Sequence, residues 1–225
     1  MVDRMAAVRA LALPLLFALS LSCAAAPFAV RLGEARVVLD APPGFADTLD
    51  LASPRLQEFA ESITSASNRI LLFALTDADL RRFRLGETPD FARYLLVATP
   101  RATERDSLGL NQFSDFVVES TRALGNPAEP ADLRAFLDTL PEGRTALLRE
   151  LRRTTASVSL LAGARLPPVA DSGPRHLLFT STLMLVRGKA LSVSVYTAFG
   201  SPADVDWLLG MTQRWTEELQ RLNGR

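Results

Sequence analysis

A chain of 225 residues with 25 basic and 25 acidic side chains carries no net charge at neutral pH, which excludes a general electrostatic grip on nucleic acid or anionic lipid. One histidine and one cysteine exclude a zinc site of the usual nitrogen and sulfur ligands within a single chain. The densest basic clusters, Arg81, Arg82 and Arg84, then Arg149, Arg152 and Arg153, alternate with apolar residues and read as solvated helix faces.

The first 26 residues read as an export signal. Arg4 and Arg9 form a positive start, Leu11 to Leu21 a short apolar core, and Ser22-Cys23-Ala24-Ala25-Ala26 the small residues a signal peptidase requires. Cleavage after Ala24 or Ala25 is expected, since Pro27 sits just past Ala26. Two alternatives stay open. A single-span anchor needs about 20 apolar residues, and this core is shorter and contains Pro14. Lipidation of Cys23 would tether the protein, because the only cysteine stands where a bacterial lipoprotein signal has its acylated residue, although Ser20 occupies a usually aliphatic position. The expected division is therefore residues 1–25 as signal peptide and residues 26–225 as a single α+β domain, periplasmic or secreted, or membrane-tethered through Cys23. Without Cys23 that domain has no cysteine, so its core must hold it together. The one lysine, Lys189, against twenty-four arginines reads as codon composition rather than chemistry.

Phe28 to Leu32 and Arg36 to Asp40 are predicted strands joined in a tight hairpin at Gly33-Glu34. The prolines of Ala41-Pro42-Pro43-Gly44-Phe45 end the second strand. Ser53-Pro54 starts a helix whose Leu56, Phe59, Ala60 and Ile63 form one apolar face. Arg69 to Leu75 and Tyr94 to Ala98 are near-continuous apolar runs, hence buried strands. Between them Thr76 and Asp79 have capping-box spacing, and Gly86 stops the short helix. Phe113, Phe116, Val117, Ser120 and Leu124 repeat at helical spacing up to Gly125-Asn126-Pro127. Asp132 to Arg153 continues the helical character, with Pro141 starting a new helix or kinking the old one. Ser157 to Arg165 alternates as a strand, with Leu161 the exception. His176 to Val186 and Ala190 to Phe199 form a hairpin turning at Arg187-Gly188-Lys189, its second strand having a buried and a wetter face. Ser201-Pro202 with Asp204 opens a last helix with the stripe Val205, Leu208, Leu209, Thr212, Trp215, Leu219 and Leu222. This order predicts a mainly antiparallel sheet with helices packed against it.

The run Val37-Val38-Leu39-Asp40-Ala41-Pro42-Pro43-Gly44-Phe45 resembles the opening of PsbP/Mog1-like proteins, and the Val186 to Tyr196 hairpin with the helix through Trp215 is similar to that superfamily's end. The resemblance implies an α/β/α sandwich used for binding and assembly rather than catalysis, and it transfers no functional residue.

The motif search returns absences: no G-x-S-x-G, no G-x-x-x-x-G-K-[ST], no G-x-G-x-x-G and no H-E-x-x-H. Asp77 and Asp79 are the nearest approach to a carboxylate site for calcium, and capping a short helix accounts for them. His176 with Ser157, Ser159, Ser172 or Ser181, and the i, i+4 pair Asp115 and Glu119, are the residues from which a dispersed hydrolase site would be built. Arg93 and Tyr94 would read an anion if their strand edge opened into a cleft, and Trp207 is a candidate partner contact. The expectation is an exported, non-catalytic binding or assembly module of the bacterial periplasm or cell envelope with a protein partner, no cofactor and no metal. The alternatives are the dispersed hydrolase and a carrier with a deep apolar cavity under the last helix.

Overall fold

A computed structural model describes residues 26–168 and 175–224. The signal segment with Cys23, and Ser172, lie outside the described residues.

Two sheets form. The first is the hairpin β1 (Phe28–Leu32) and β2 (Ala35–Leu39), paired from Phe28↔Leu39 to Leu32↔Ala35 around Gly33-Glu34. The second has seven strands: β3 (Phe45–Asp47), β4 (Asn68–Thr76), β5 (Arg93–Pro100), β6 (Thr145–Arg153), β7 (Ser157–Leu166), β8 (Arg175–Val186) and β9 (Lys189–Ala198). Their order is β3-β4-β5-β9-β8-β7-β6, antiparallel throughout. The helices are α1 (Pro54–Ser62), α2 (Asp77–Arg84), α3 (Leu110–Arg122), α4 (Leu133–Thr139) and α5 (Pro202–Asn223).

Both faces of the large sheet are covered, so the α+β class with helices on either side holds. One face carries α5, α4 and the β1–β2 hairpin over Leu72, Leu95, Val97, Leu178, Val193 and Val195, with Leu208, Trp215 and Leu219 facing them from α5. The opposite face is covered in two places. Leu56 and Ala60 of α1 pack on Phe73, Leu75, Tyr94 and Tyr196, and Phe113 and Val117 of α3 pack on Leu147, Val158, Leu160 and Leu183. Because both faces are buried, Leu161 is no exception to its strand: it faces α5 while Leu160 faces α3. The expected wet face of β9 is also covered, with Ser194 and Tyr196 buried. Burial pushes the Tyr196 phenol up to about 12, while the Ser194 side chain bonded to it pulls slightly the other way.

Three expectations need correction. The second half of the block from Asp132 to Arg153 is the edge strand β6, not helix. Its register with β7 slips between Leu147 and Arg149 and again between Glu150 and Arg152. Each bulge inserts one unpaired residue and resets the alternation of side chains. Leu147, Leu148 and Leu151 therefore bury at helical spacing on a strand, Leu147 toward α3 and the other two toward α5. The three-residue β3 after the Pro-Pro turn was not predicted, being too short to show a period. Ser53 precedes α1 as expected, with Pro54 in the first turn, but its side chain makes no capping hydrogen bond.

Candidate functional site

The Ala41–Phe45 turn meets α5 along a surface cleft. β2 leaves its hairpin at Asp40; Pro42 and Pro43 offer no N–H to a neighbouring strand, and Gly44, at φ +87°, turns the chain so that the Phe45 N–H donates to the Pro42 carbonyl (3.1 Å). On the helix side, Ser201 and Asp204 form a capping box ahead of Pro202 at the first turn. Burial raises the Asp204 carboxyl, but the N–H groups of Gly200 and Ser201, the Arg93 guanidinium and the Ser201 hydroxyl outweigh it and hold its pKa below the usual carboxylate range.

Two polar ties fix β2 to α5. Asn223 accepts from the Val38 N–H and donates to the Val38 carbonyl, both at 2.8 Å, as a neighbouring strand would, and the Trp215 indole N–H donates to the Asp40 carbonyl at 2.8 Å. Beyond Asp40 the prolines stand off the helix, leaving a cleft of about 540 Å³ lined by Asp40, Ala41, Pro42, Pro43, Met211, Arg214, Trp215 and Glu218. Its lining mixes apolar residues with three charged ones, Asp40, Arg214 and Glu218. Burial and then the Glu218 charge push the Asp40 carboxyl above its ordinary pKa, and Asp40 Oδ1 is buried without a hydrogen-bond partner. Glu218 is instead bound by Arg221, which holds it below the usual range. Arg214 is the sole cation among the lining residues.

The residues singled out from sequence do not gather at this cleft or at any other point. His176 lies buried on the α4 side of the sheet, its Nε2 3.0 Å from Asp138 Oδ1 and its Nδ1 without a partner. Asp138 accepts, so Nε2 is the donor of that bond. His176 pairs with Arg165, whereas Ser159 pairs with Thr182 and Ser157 with Met184 along the same strand. At about 3.3 Å per residue these serines are roughly 20 and 26 Å away. Ser181 faces the other side of the sheet, where it bonds Ser192 (3.2 Å). Asp115 and Glu119 are exposed on α3, the other side again, and Glu119 pairs with Arg122 at 2.8 Å. The dispersed hydrolase site is not assembled among the described residues.

Asp79 is buried at the start of α2, its N–H bonded to Thr76 Oγ1 (3.1 Å) and its Oδ1 accepting from the Asp90 N–H (2.8 Å), while Asp77 is exposed. Among the described residues no group of three or more His, Cys, Asp or Glu is placed to hold a metal. Arg93 and Tyr94 are on an inner strand and opposite faces: Arg93 pairs with Asp204 (3.1 Å) and lies 4.1 Å over Trp207, while Tyr94 stacks on Tyr196. The anion reading therefore fails; Trp207 meets Arg93 and Phe45 and stays half-buried. The volume under α5 is filled by Leu208, Trp215 and Leu219, with Thr212 bonded to Thr180. The room beside that helix is an open cleft rather than the deep cavity a carrier would need.

Sequence reasoning gave no site role to Asp40, Asp138, Lys189 or Asn223. Two left a signal: Lys189 as the single lysine, and Asn223 four residues after Leu219 and eight after Trp215, a polar side chain on the buried stripe.

No family model matches the chain, and no curated protein matches it. A solved structure of the Ran-binding protein Mog1p of Saccharomyces cerevisiae is similar over 89% of this chain and 94% of that one, with 12% identity and a TM-score of 0.37. No helix among the described residues is long and apolar enough to cross a membrane.

Proposed function

We propose that this chain is an exported, non-catalytic binding module of PsbP/Mog1-like type that engages a protein partner of the bacterial periplasm or cell envelope through the cleft beside α5. The observation that carries the reading is the cleft itself: a groove in which proline, methionine and other apolar residues stand beside Asp40, Arg214 and Glu218, the mixture expected of a recognition site. It is built from the two chain ends that carry the superfamily resemblance, the Asp40–Pro43 turn and the helix through Trp215. The separation of His176 from Asp115 and Glu119 supports binding over hydrolysis. Export rests on the signal read in residues 1–25, with Cys23 as the candidate lipidation site.

Two measurements test it. The intact mass and N-terminus are taken from soluble and membrane envelope fractions. A start at Ala25 or Ala26, or a diacylated Cys23, is expected, and a protein retaining Met1 in the cytoplasm overturns export. A photo-crosslinking side chain at Arg214, an exposed residue of the cleft, is then compared with one at Asp115 in living cells. A discrete protein adduct from position 214 alone is expected; equal or absent adducts overturn the cleft as the binding site.

A further inference from the structure

We infer that the outer edge of β1 is a self-association surface: a second copy of this chain pairs its own β1 against it, antiparallel, with Ala29 of one copy opposite Arg31 of the other.

The backbone of the hairpin leaves that edge unpaired. Opposed residues of an antiparallel pair alternate between those that exchange both backbone bonds and those that exchange none. Val38 is of the second kind, because Asn223 takes both its N–H and its C=O on the side away from β1. Its partner Ala29, and by the same alternation Arg31 opposite Arg36, therefore turn their N–H and C=O away from β2. Among the described residues nothing bonds these groups, and both residues are exposed. The other strand edges are defended. β6 carries two bulges and the charges of Arg149, Glu150, Arg152 and Arg153, β3 is three residues long, and β2 is tied to Asn223. β1 pairs without a bulge and holds one charge, Arg31, so it keeps the flat edge that accepts a further strand.

The strand matches itself in one register. Ala29 opposite Ala29 would set Arg31 against Pro27, which has no N–H, and Arg31 opposite Arg31 would oppose like charges. Ala29 opposite Arg31 uses every outward N–H and C=O of both residues in each copy. It also sets a small side chain beside a long one on the outer face, and Val30 against Val30 on the inner face. Phe28 and Val30 are half-buried in the single chain, so pairing withdraws more of their apolar surface from water. One pair of short strands is a small interface, which makes the dimer reversible.

The test is sedimentation of the processed protein at rising concentration, together with amide hydrogen exchange, on the native chain and on Arg31→Pro, Ala29→Glu and Ala29→Arg. A monomer in equilibrium with a dimer is expected, with the Ala29 and Arg31 amides gaining protection as concentration rises. Arg31→Pro removes an N–H that β2 does not use and should weaken the dimer about tenfold. Position 29 faces Arg31 of the other copy, so Ala29→Glu should tighten the dimer about threefold and Ala29→Arg should weaken it about threefold. Thermal unfolding shows whether each variant folds, and if Arg31→Pro does not, the opposite signs at position 29 decide. Protein that stays monomeric up to about 1 mM overturns the inference. So does a dimer indifferent to position 29 or weakened by Ala29→Glu, because the contact then lies on another surface or in another register.

Discussion

Lys189 shows how much one side chain at the end of a strand can hold. It is buried, and its ammonium donates to the carbonyls of Glu104 (3.1 Å) and Asp106 (2.6 Å), tying the loop after β5 to the turn between β8 and β9. A compact ammonium suits two convergent carbonyls, whereas a planar guanidinium does not. That is a chemical role for the single lysine, which composition had assigned to codon usage. Lys189→Met should cost ~1–3 kcal/mol by leaving buried carbonyls unpaired, and Lys189→Arg should not restore it. Urea unfolding of both variants checks this. Asn223 does comparable work near the end of β2, bonding Val38 twice and the Leu219 carbonyl once. Asn223→Ala should lose ~2–3 kcal/mol, and the protection of the Val38 amide from hydrogen exchange should fall with it.

At the level of elements, the β1–β2 hairpin and the β8–β9 hairpin are both seated on the loop between β5 and α3. Gly33 is at φ +55°, and a Cβ there would sit 2.7 Å from the Arg105 carbonyl oxygen. The Leu108 N–H donates to the Gly188 carbonyl at 2.8 Å, closing the same loop on the second hairpin. Gly143, at φ +72° between α4 and β6, has nothing within 4 Å of the equivalent position. Gly33→Ala should therefore cost ~2–4 kcal/mol, combining left-handed strain with a clash against backbone, while Gly143→Ala carries only the strain, ~1 kcal/mol. Thermal unfolding of the pair isolates the clash. Element identity was legible in the sequence wherever a period ran unbroken: β4 and β5 from their apolar runs, α5 from its stripe and cap. It failed at β6 because two bulges give a strand the spacing of a helix.

The response of the whole molecule to pH includes two aspartates of opposite sign, and burial raises Asp47 in the same direction as Asp40. The folded state raises the pKa of Asp40, so it binds that proton more tightly than the unfolded chain does, and ionisation costs stability as pH rises above the ordinary aspartate range. The folded state lowers the pKa of Asp204, which contributes stability above that range and loses it as pH falls through the depressed value. Asp40→Asn should raise stability near neutral pH by less than ~1 kcal/mol, since the carboxyl is only partly withdrawn from water, and the gain should vanish in acid. Asp204→Asn should lower it by ~0.5–2 kcal/mol near neutral pH through the weakened cap, with the deficit shrinking in acid. Chemical denaturation at about pH 7 and about pH 3 reads both.

Fold class, turn positions and most helices could be read from the chain because each rests on interactions within about a turn or a strand length: caps, apolar periods, and glycine at positive φ. The same locality revealed the Pro-Pro-Gly turn. It did not reveal that the turn faces α5, because Asp40 and Glu218 are 178 positions apart and meet only when β5 pairs with β9, bringing the two halves of the sheet together. The cleft and the burial of Lys189 follow from that pairing, while His176 and Asp115 lie apart because α4 and α3 cover opposite faces of the sheet. Such properties belong to distances across the fold, and a one-dimensional pattern carries no record of them.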